Sequence, residues 1–189
     1  MQRIGLMGGS FNPIHHGHVN LARAALDEGC AERVLFLPTG NPPHKKSGLA
    51  DKLDRLAMVC LAIEGEADMD VCREEVDREG VIYTVDTLGI LKERMPDADF
   101  SYIIGADSLR ALHTWKRPET LITLCRFLVV MRPGEGESET LEAAQLWRSR
   151  GAEIAFLRMA PMDISSTEIR RRVAAGEPVG DLVPDGVAA

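Results

Sequence analysis

The first 26 residues join an apolar run, a glycine-rich turn and an amphipathic helix, and this combination restricts the fold more than any other feature. Residues 3–7 are typical of a buried strand, and Gly8 and Gly9 let the backbone turn while leaving its amides open to a ligand. Apolar residues then recur at helical spacing, at Val19, Leu21, Ala22, Ala25 and Leu26. His15 and His18 lie at the start of this helix, where free N–H donors and a partial positive charge are expected. The stretch therefore predicts a phosphate-binding site.

Two common phosphate-binding sequences are absent from this turn. It contains neither the G-x-G-x-x-G of dinucleotide-binding folds nor the G-x-x-x-x-G-K-[ST] of the P-loop. What remains is His-x-Gly-His at 15–18, preceded by Gly-Gly-Ser-Phe-Asn-Pro at 8–13. A simpler explanation is an ordinary strand–helix turn with surface histidines. A zinc hydrolase using His15, His16 and His18 is a further alternative, although the sequence offers no nearby carboxylate ligand.

The length of 189 residues predicts one domain over residues 1–189, with residues 163–189 as its C-terminal part. A net charge of −7 argues against a nucleic-acid partner, while local basic residues suit a small anionic ligand. We expect no membrane segment, because no apolar stretch approaches the ~20 residues that span a bilayer, and therefore a cytoplasmic protein. A homo-oligomer is compatible with the sequence. Four widely spaced cysteines fit neither a zinc site nor a disulfide framework: Cys30, Cys60, Cys72 and Cys125.

Strand and helix patterns alternate along the chain, which predicts an α/β fold with a parallel sheet and helices on both faces. Further strands are predicted at 33–38, 69–72, 100–104, 126–131 and 153–158. Asp51 is predicted to cap a helix, and the predicted apolar face of that helix is Leu53, Leu56, Ala57, Cys60 and Leu61. Another helix is predicted to open at Thr84 and to end before Pro96. Two more helices are predicted over residues 109–112 and 141–150. Residues 135–139 are predicted to form a solvated acidic loop.

Several charged side chains follow predicted strands, where the loops of an open α/β sheet bind ligands. His44 and Lys45 lie in the turn-rich segment 39–48, and Lys45 suits either a phosphate contact or a solvated surface position. Asp107 follows the strand at 100–104 and suits either a helix cap or an acceptor for ribose hydroxyls. Arg132 follows the strand at 126–131 and reaches the same sheet edge.

Thr84 and Trp115 each have a structural explanation that the sequence alone favours. Thr84 stands where a helix N-cap is expected, and Trp115 would ordinarily be a buried core residue. The place of Trp115 soon after the turn at Gly105 also makes it a candidate for stacking on a flat ring.

The last informative stretch begins a helix with phosphate-compatible side chains. Ser165 and Glu168 have the spacing of a capping box, ahead of a predicted apolar face at Ile169 and Val173. Capping leaves three further groups unexplained, and their types suit an anion at a helix N-terminus: Ser166, Thr167 and Arg170. Gly176 is predicted to end the helix.

Taken together, these motifs resemble the nicotinate-nucleotide adenylyltransferases, within the nucleotidyltransferase superfamily that carries the His-x-Gly-His motif. The matching pieces occur in family order over roughly residues 3–184. They are GGSFNP-x-H-x-GH at 8–18, PPHK at 42–45, YT-x-DTL at 83–88, IGADSL with its tryptophan at 104–115, and ISST-x-IR at 164–170. The resemblance implies a Rossmann-like nucleotidylyl transferase fold and the transfer of an adenylyl group from ATP to nicotinate mononucleotide, with Mg²⁺ carried by the ATP and no dedicated metal site.

The resemblance also implies a role for particular residues. The ATP side would comprise Gly8, Gly9, Ser10, Phe11, His15, His18, Gly105, Asp107, Arg132, Ile164, Ser165, Ser166, Thr167 and Arg170. The mononucleotide side would comprise Asn12, His44, Lys45, Thr84 and Trp115. The catalytic groups, which would neutralise charge on the leaving pyrophosphate, would be His15, His18, Lys45 and Arg170.

Three other functions remain open at this point: adenylyl transfer to nicotinamide mononucleotide, adenylyl transfer to phosphopantetheine, and nucleotide binding without catalysis. Ser10 and Asn12 stand where bacterial members commonly have threonine and aspartate, and the pair is closer to nicotinamide-preferring relatives. Phosphopantetheine adenylyltransferases share the histidine motif but do not need the Trp115 segment or the PPHK piece. A nucleotide-binding module without catalysis would keep the fold and lose the chemistry.

Overall fold

The computed structural model describes residues 1–40, 48–131, 136–158 and 162–188. The strands are β1 (Gln2–Gly9), β2 (Arg33–Pro38), β3 (Met69–Val71), β4 (Ala98–Gly105), β5 (Arg126–Val130) and β6 (Ile154–Leu157). The helices are α1 (His16–Asp27), α2 (Lys52–Ala62), α3 (Thr84–Arg94), α4 (Ala106–Arg110), α5 (Pro118–Leu124), α6 (Glu137–Ser149), α7 (Ser166–Ala174) and α8 (Asp185–Ala188), with a 3-10 turn at Leu112–Thr114. The predicted alternation of strands and helices is confirmed.

The strands form one sheet in the order β3-β2-β1-β4-β5-β6, and every neighbouring pair is parallel. The chain continues outward from β1 to β2 and β3, then returns to place β4 on the other side of β1. At such a switch point the connections leave the carboxyl ends of two adjacent strands in opposite directions, which opens a crevice for a ligand. Gly9 ends β1 and Gly105 ends β4. The predicted phosphate turn and the predicted ribose-binding turn therefore meet at one crevice, in a Rossmann-like fold.

Helices cover both faces of the sheet, as predicted, because side chains alternate along each buried strand. On β4, Phe100, Tyr102 and Ile104 point into the cluster beneath α3, α5 and α6, whereas Ile103 points into the cluster beneath α1 and α2. A third, smaller cluster joins α7 to the segment at 182–183. No helix in the described part of the chain combines the length and the apolar character needed to cross a bilayer.

Two predicted apolar faces were wrong. On α2, Leu53 and Leu61 are 55% and 45% exposed, Ala57 and Cys60 are exposed as well, and of the predicted face only Leu56 is buried. On α7, Val173 is 61% exposed, and Ile169 alone reaches the core. The buried face of α2 is displaced around the helix, and it consists of Arg55, Leu56, Val59 and Ala62. Periodicity defined each helix, but the neighbouring elements determined which side of it is covered.

Two predicted helix starts and two predicted caps need correction, whereas the helix predicted to open at Thr84 does begin there. Tyr83 occupies the N-cap of α3 and Gly105 that of α4, so Thr84 and Asp107 lie inside the first turns of their helices and cap neither. Helix α4 begins at Ala106 instead of 109, and α6 begins at Glu137, so residues 137–139 are helical and not a loop. Where a side chain caps through its own oxygen the predictions are confirmed: Asp51 accepts from the backbone N–H of Leu53, and Ser165 from that of Glu168.

Candidate active site

The two histidines of the first motif, His15 and His18, pack against each other at the start of α1. His15 is the N-cap residue and is buried, and its ring stacks on that of His18 with 3.8 Å between centroids. The backbone N–H of His15 donates to Nδ1 of His18 at 3.3 Å, as one half of a reciprocal capping arrangement. A Cβ on Gly17 would lie 3.0 Å from Nδ1 of His15, so a side chain there would press on the ring. The capping contacts therefore hold both imidazoles in defined orientations.

His18 is a neutral hydrogen-bond donor near neutral pH. Burial, together with the neighbouring His15, lowers the pKa of His18 to about 3. Since its Nδ1 accepts the backbone N–H of His15, the proton of the neutral ring resides on Nε2. His18 thus offers an N–H donor and not the positive charge that its residue type suggested from the sequence.

The turn that precedes these histidines is held in an unusual conformation. Phe11 has a φ of +43°, a region that residues other than glycine rarely adopt. Its ring is buried and contacts the ring of His18 edge-on, with 5.1 Å between the ring centroids. The centroid of the Phe36 ring lies 5.8 Å away. Gly8 lies directly against Tyr102, because a Cβ on Gly8 would fall 2.0 Å from the tyrosine oxygen. The backbone of the turn therefore runs close over the end of β4.

Helix α7 presents its N-terminus to the same turn. Ser166 Oγ donates to the carbonyl of Pro13 at 2.9 Å, and Nη1 of Arg170 donates to the carbonyl of Asn12 at 2.7 Å. Nη2 of Arg170 lies 3.3 Å from Oγ1 of Thr167. The predicted phosphate-binding groups of the C-terminal motif are therefore brought beside those of the N-terminal motif. Ile164, also predicted on the ATP side, packs against the Ile169 cluster.

The end of β4 supplies an exposed carboxylate. The side chain of Asp107 is 85% exposed and pairs with Arg110. Arg110 in turn donates to Thr140 Oγ1 at 2.9 Å and to the carbonyl of Gly136 at 3.3 Å. Asp107 is thus oriented by α6 while its carboxylate stays open to a ligand. Arg132, predicted to reach this edge, lies outside the described residues.

The opposite side of the crevice carries Trp115, which is half-buried and not a core residue. Its ring contacts that of Tyr102 edge-on, with 6.1 Å between the ring centroids and an angle of 87° between the ring planes. The side chain of Thr84 lies beside the Tyr102 hydroxyl and lowers its pKa, against the larger rise that burial causes. Tyr102 therefore connects Gly8, Thr84 and Trp115, so that groups predicted on the ATP side and on the mononucleotide side share one buried contact.

The structure gives Asn12 a role that the sequence did not predict. Its side chain is buried; Nδ2 donates to the carbonyl of Gly48 at 2.9 Å, and Oδ1 accepts the N–H of Ala50 at 3.0 Å. The amide thus ties the turn to the segment after residue 47. The contact of Asn12 with the mononucleotide stays a prediction. His44 and Lys45, the other predictions on this side, lie outside the described residues.

Comparisons with known proteins identify the family. The model of the cytidylyltransferase-like family matches residues 6–172. A Neisseria meningitidis serogroup B protein named probable nicotinate-nucleotide adenylyltransferase is 42% identical over 191 residues, which cover 100% of this chain and 94% of the relative. A Gloeobacter violaceus protein of the same name is 42% identical over 93% of this chain and 85% of its own. This chain belongs to the nicotinate-nucleotide adenylyltransferase family.

Solved structures agree on the fold. The Plasmodium falciparum nicotinic acid mononucleotide adenylyltransferase complexed with NaAD superimposes with a TM-score of 0.78 at 17% identity, covering 99% of this chain and 93% of that one. The same enzyme complexed with APC gives a TM-score of 0.76. At such identity the likeness concerns the fold, and the site rests on this chain's own residues.

Sequence reasoning missed three buried residues around the crevice of this family member. Tyr102, Arg55 and Glu75 were assigned no role, although they are 6%, 1% and 4% exposed. Thr87 Oγ1 donates to the Glu75 carboxyl at 3.0 Å. A charged residue inside an otherwise apolar helical face would have been the signal for Arg55, but the face of α2 was predicted with the wrong rotation.

Burial of Glu75 predicts a pH-dependent contribution to stability. Desolvation raises the pKa of its carboxyl above the ordinary value of 4.5. The folded protein then binds this proton more tightly than the unfolded chain, so stability falls as pH rises from about 4.5 through the folded pKa, by ~1.4 kcal/mol per pH unit at most. In Glu75→Gln the side chain stays uncharged at every pH. We therefore expect its free energy of unfolding, measured with urea, to fall less between pH 5 and pH 8 than that of the wild type. The exposed Glu79→Gln is the control, and an unchanged decline in Glu75→Gln would contradict the assignment.

Proposed function

We propose that this protein transfers the adenylyl group of ATP to nicotinate mononucleotide, forming nicotinate adenine dinucleotide and pyrophosphate. The observation that carries the proposal is the shared contact at Tyr102, which links the Gly8 turn of β1 to Thr84 and Trp115 across the switch point of the sheet. A site for two substrates that must react with each other needs such adjacency. The relatives named as nicotinate-nucleotide adenylyltransferases support the choice of substrates.

The chemical step is an in-line displacement. An oxygen of the 5′-phosphate of nicotinate mononucleotide attacks the α-phosphorus of ATP, a P–O bond forms, and the bond to the β-phosphate oxygen breaks with release of pyrophosphate. The attacking phosphate is largely ionised at neutral pH, since its second pKa is ~6, so no general base is required. A neutral His18 is consistent with this scheme, because the reaction asks for donors to the developing charge and not for proton removal.

The residues that would carry these roles follow the geometry of the two motifs. We propose that Nε2–H of His18, His15 and the backbone amides of residues 8–11 bind the ATP phosphates. Ser166, Thr167 and Arg170 would approach the β- and γ-phosphates from the start of α7, and Gly105, Asp107 and Arg132 would hold the adenosine. Lys45 and His44 would meet the phosphate of the mononucleotide, and its pyridine would stack on Trp115.

A divalent metal belongs to ATP chemistry of this kind, and we propose that it is Mg²⁺ carried by the ATP. Within the described ranges no group of three His, Cys, Asp or Glu side chains converges to hold a metal ion. The chain's residues fit a metal that keeps phosphate oxygens and water as its ligands, which Mg²⁺ prefers. Bound there, it would neutralise phosphate charge.

Two features of the setting remain predictions. The described cysteines are free, which is compatible with the cytoplasmic location that we propose. The second prediction is a homo-oligomer, and size-exclusion chromatography with light scattering tests it.

The first experiment is pyrophosphate release from Mg-ATP with nicotinate mononucleotide, nicotinamide mononucleotide or phosphopantetheine offered in parallel. We expect strong preference for nicotinate mononucleotide. Equal use of the two pyridine nucleotides would support adenylyl transfer but contradict the preference for nicotinate over nicotinamide mononucleotide. Turnover with phosphopantetheine alone, or binding of ATP without turnover, would replace the proposal with one of the alternatives raised by the sequence.

Thr84 is expected to contribute to selection of the pyridine substrate. Thr84→Val keeps the shape of the side chain and removes the hydroxyl that lies beside Tyr102. We expect the KM for nicotinate mononucleotide to rise about tenfold, equivalent to the loss of one hydrogen bond of ~1.5 kcal/mol, with little change in the KM for ATP. Thr123→Val, at an exposed threonine on α5, is the matched control. Equal changes in both KM values would argue against a role on the mononucleotide side alone.

A further inference from the structure

Arg55 is a fully buried arginine that faces the back of the phosphate turn. It lies on α2 with 1% of its surface exposed. Its guanidinium donates to carbonyl oxygens from three separate segments. These bonds are Nη1 to Ser10 at 2.7 Å, Nη2 to Thr39 at 2.6 Å and to Gly40 at 3.2 Å, and Nε to Ala50 at 3.1 Å.

These bonds join the turn, the end of β2 and the start of α2 through one side chain. Among the described residues no carboxylate lies within salt-bridge distance of Arg55, so its charge is offset by these carbonyl dipoles and, from farther away, by the carboxylate of Asp51. Burying a guanidinium in this way is costly unless every donor is well placed. Such a residue holds the backbone of the segments it contacts more tightly than an apolar side chain of the same size would.

The contact with Ser10 determines where the next backbone N–H points. The Ser10–Phe11 peptide bond is trans, so its carbonyl and its N–H point in opposite directions. With the Ser10 carbonyl directed at Arg55, the N–H of Phe11 is directed away from it. In the described part of the chain this N–H makes no hydrogen bond. Phe11 also has its φ of +43°, a conformation that persists only when the surroundings impose it.

We propose that Arg55 is a positioning residue for adenylyl transfer, which turns the Ser10–Phe11 peptide so that the Phe11 N–H is presented to the nucleotide phosphates. Accepting a charged hydrogen bond at the Ser10 carbonyl also polarises that peptide and makes its N–H a stronger donor. Arg55 itself does not touch the substrate. This inference rests on the proposed function only in naming the reaction; binding of an ATP analogue tests it separately.

The test compares Arg55→Met, which removes every donor and keeps an unbranched side chain, with Arg55→Lys, which keeps the charge and one donor group. Leu56→Ala is the control, since Leu56 is the next residue on α2, is buried, and has a side chain with no hydrogen-bond donor. Each variant is assayed for kcat and both KM values at a temperature where circular dichroism shows it folded. Selective ¹⁵N-phenylalanine labelling, with five phenylalanines in the chain, then reports the Phe11 amide before and after addition of α,β-methylene ATP.

In the wild type we expect the Phe11 amide signal to shift when the analogue is added. In Arg55→Met we expect this shift to be lost and kcat to fall about 100-fold, because a small displacement of a catalytic donor has an effect of that size. Arg55→Lys should be intermediate in both, and Leu56→Ala should lose thermal stability while keeping the shift and a kcat near that of the wild type.

The proposal is overturned if Arg55→Met keeps the Phe11 shift, or if its kcat stays within about twofold of the wild type. If Arg55→Met does not fold, the same two readouts in Arg55→Lys decide. A wild type that binds the analogue through Phe11 but releases no pyrophosphate would refute the proposed reaction and leave the role of Arg55 supported.

Discussion

Replacing His18 with alanine is expected to lower kcat by about 100- to 1,000-fold, equivalent to ~3–4 kcal/mol, because it removes a donor to the charge that grows on the leaving pyrophosphate. The stacked ring and the capping contact with His15 hold this donor in place before the substrate arrives. The measurement is steady-state pyrophosphate release with Mg-ATP and nicotinate mononucleotide, alongside circular dichroism to confirm that the variant is folded.

Three further variants show what kind of group His18 is. His16→Ala, one residue from the motif histidine His15, is the matched control and should retain activity near that of the wild type. His18→Gln should recover part of the loss, since an amide can both accept the His15 N–H and donate to a phosphate. His18→Lys should not, because the low pKa makes the natural group a neutral donor. Recovery with lysine and none with glutamine would contradict this assignment, and near-normal activity of His18→Ala would refute the mechanism.

The second large effect is expected at Gly8. A Cβ there would lie 2.0 Å from the hydroxyl oxygen and 3.0 Å from Cζ of Tyr102, whose ring is 6% exposed and cannot easily withdraw. We expect Gly8→Ala to destabilise the fold by about 2–3 kcal/mol, as overpacking in a dense core does. Because Tyr102 also contacts Thr84 and Trp115, the KM for nicotinate mononucleotide should rise although Gly8 lies on the ATP side. Urea unfolding and steady-state kinetics measure the two effects.

Two comparisons separate this clash from a general effect of replacing glycine. Gly89→Ala makes the same chemical change inside α3, where the added Cβ meets nothing within 4 Å, and it should stabilise the protein by about 0.5–1 kcal/mol. Combining Gly8→Ala with Tyr102→Phe removes the closest contact and leaves the one at Cζ. We therefore expect the pair to be less destabilised than the sum of the single variants by about 1 kcal/mol. Strict additivity would show that Tyr102 is not the residue that excludes a side chain at Gly8.

Most of the order of elements could be predicted because it depends on neighbours in sequence. The strand, turn and helix over residues 2–27 follow from periodicity and glycine placement. Asp51 and Ser165 were predicted correctly as caps because each bonds a backbone N–H only two or three residues away. Thr84 was predicted as a cap for the same reason, yet Tyr83 occupies the N-cap and the Thr84 side chain lies beside Tyr102, eighteen positions on. The local sequence predicted where this helix starts but not which residue the Thr84 side chain contacts.

The sequence by itself determined the sites of the two phosphate-directed motifs, since each is a short segment whose residue types and helix N-terminus suffice to define it. Only the tertiary structure decided that they meet, that Tyr102 joins Gly8 to Thr84 and Trp115, and that Arg55 lies beneath the turn. The sheet order brings together residues from β1, α2, α3 and β4, and no local pattern records such pairings. Which face of α2 is buried, and hence that Arg55 and not Leu53 points inward, depends on the packing of elements distant in sequence. Local propensity selects the elements, and burial against distant elements selects the side chains that work together.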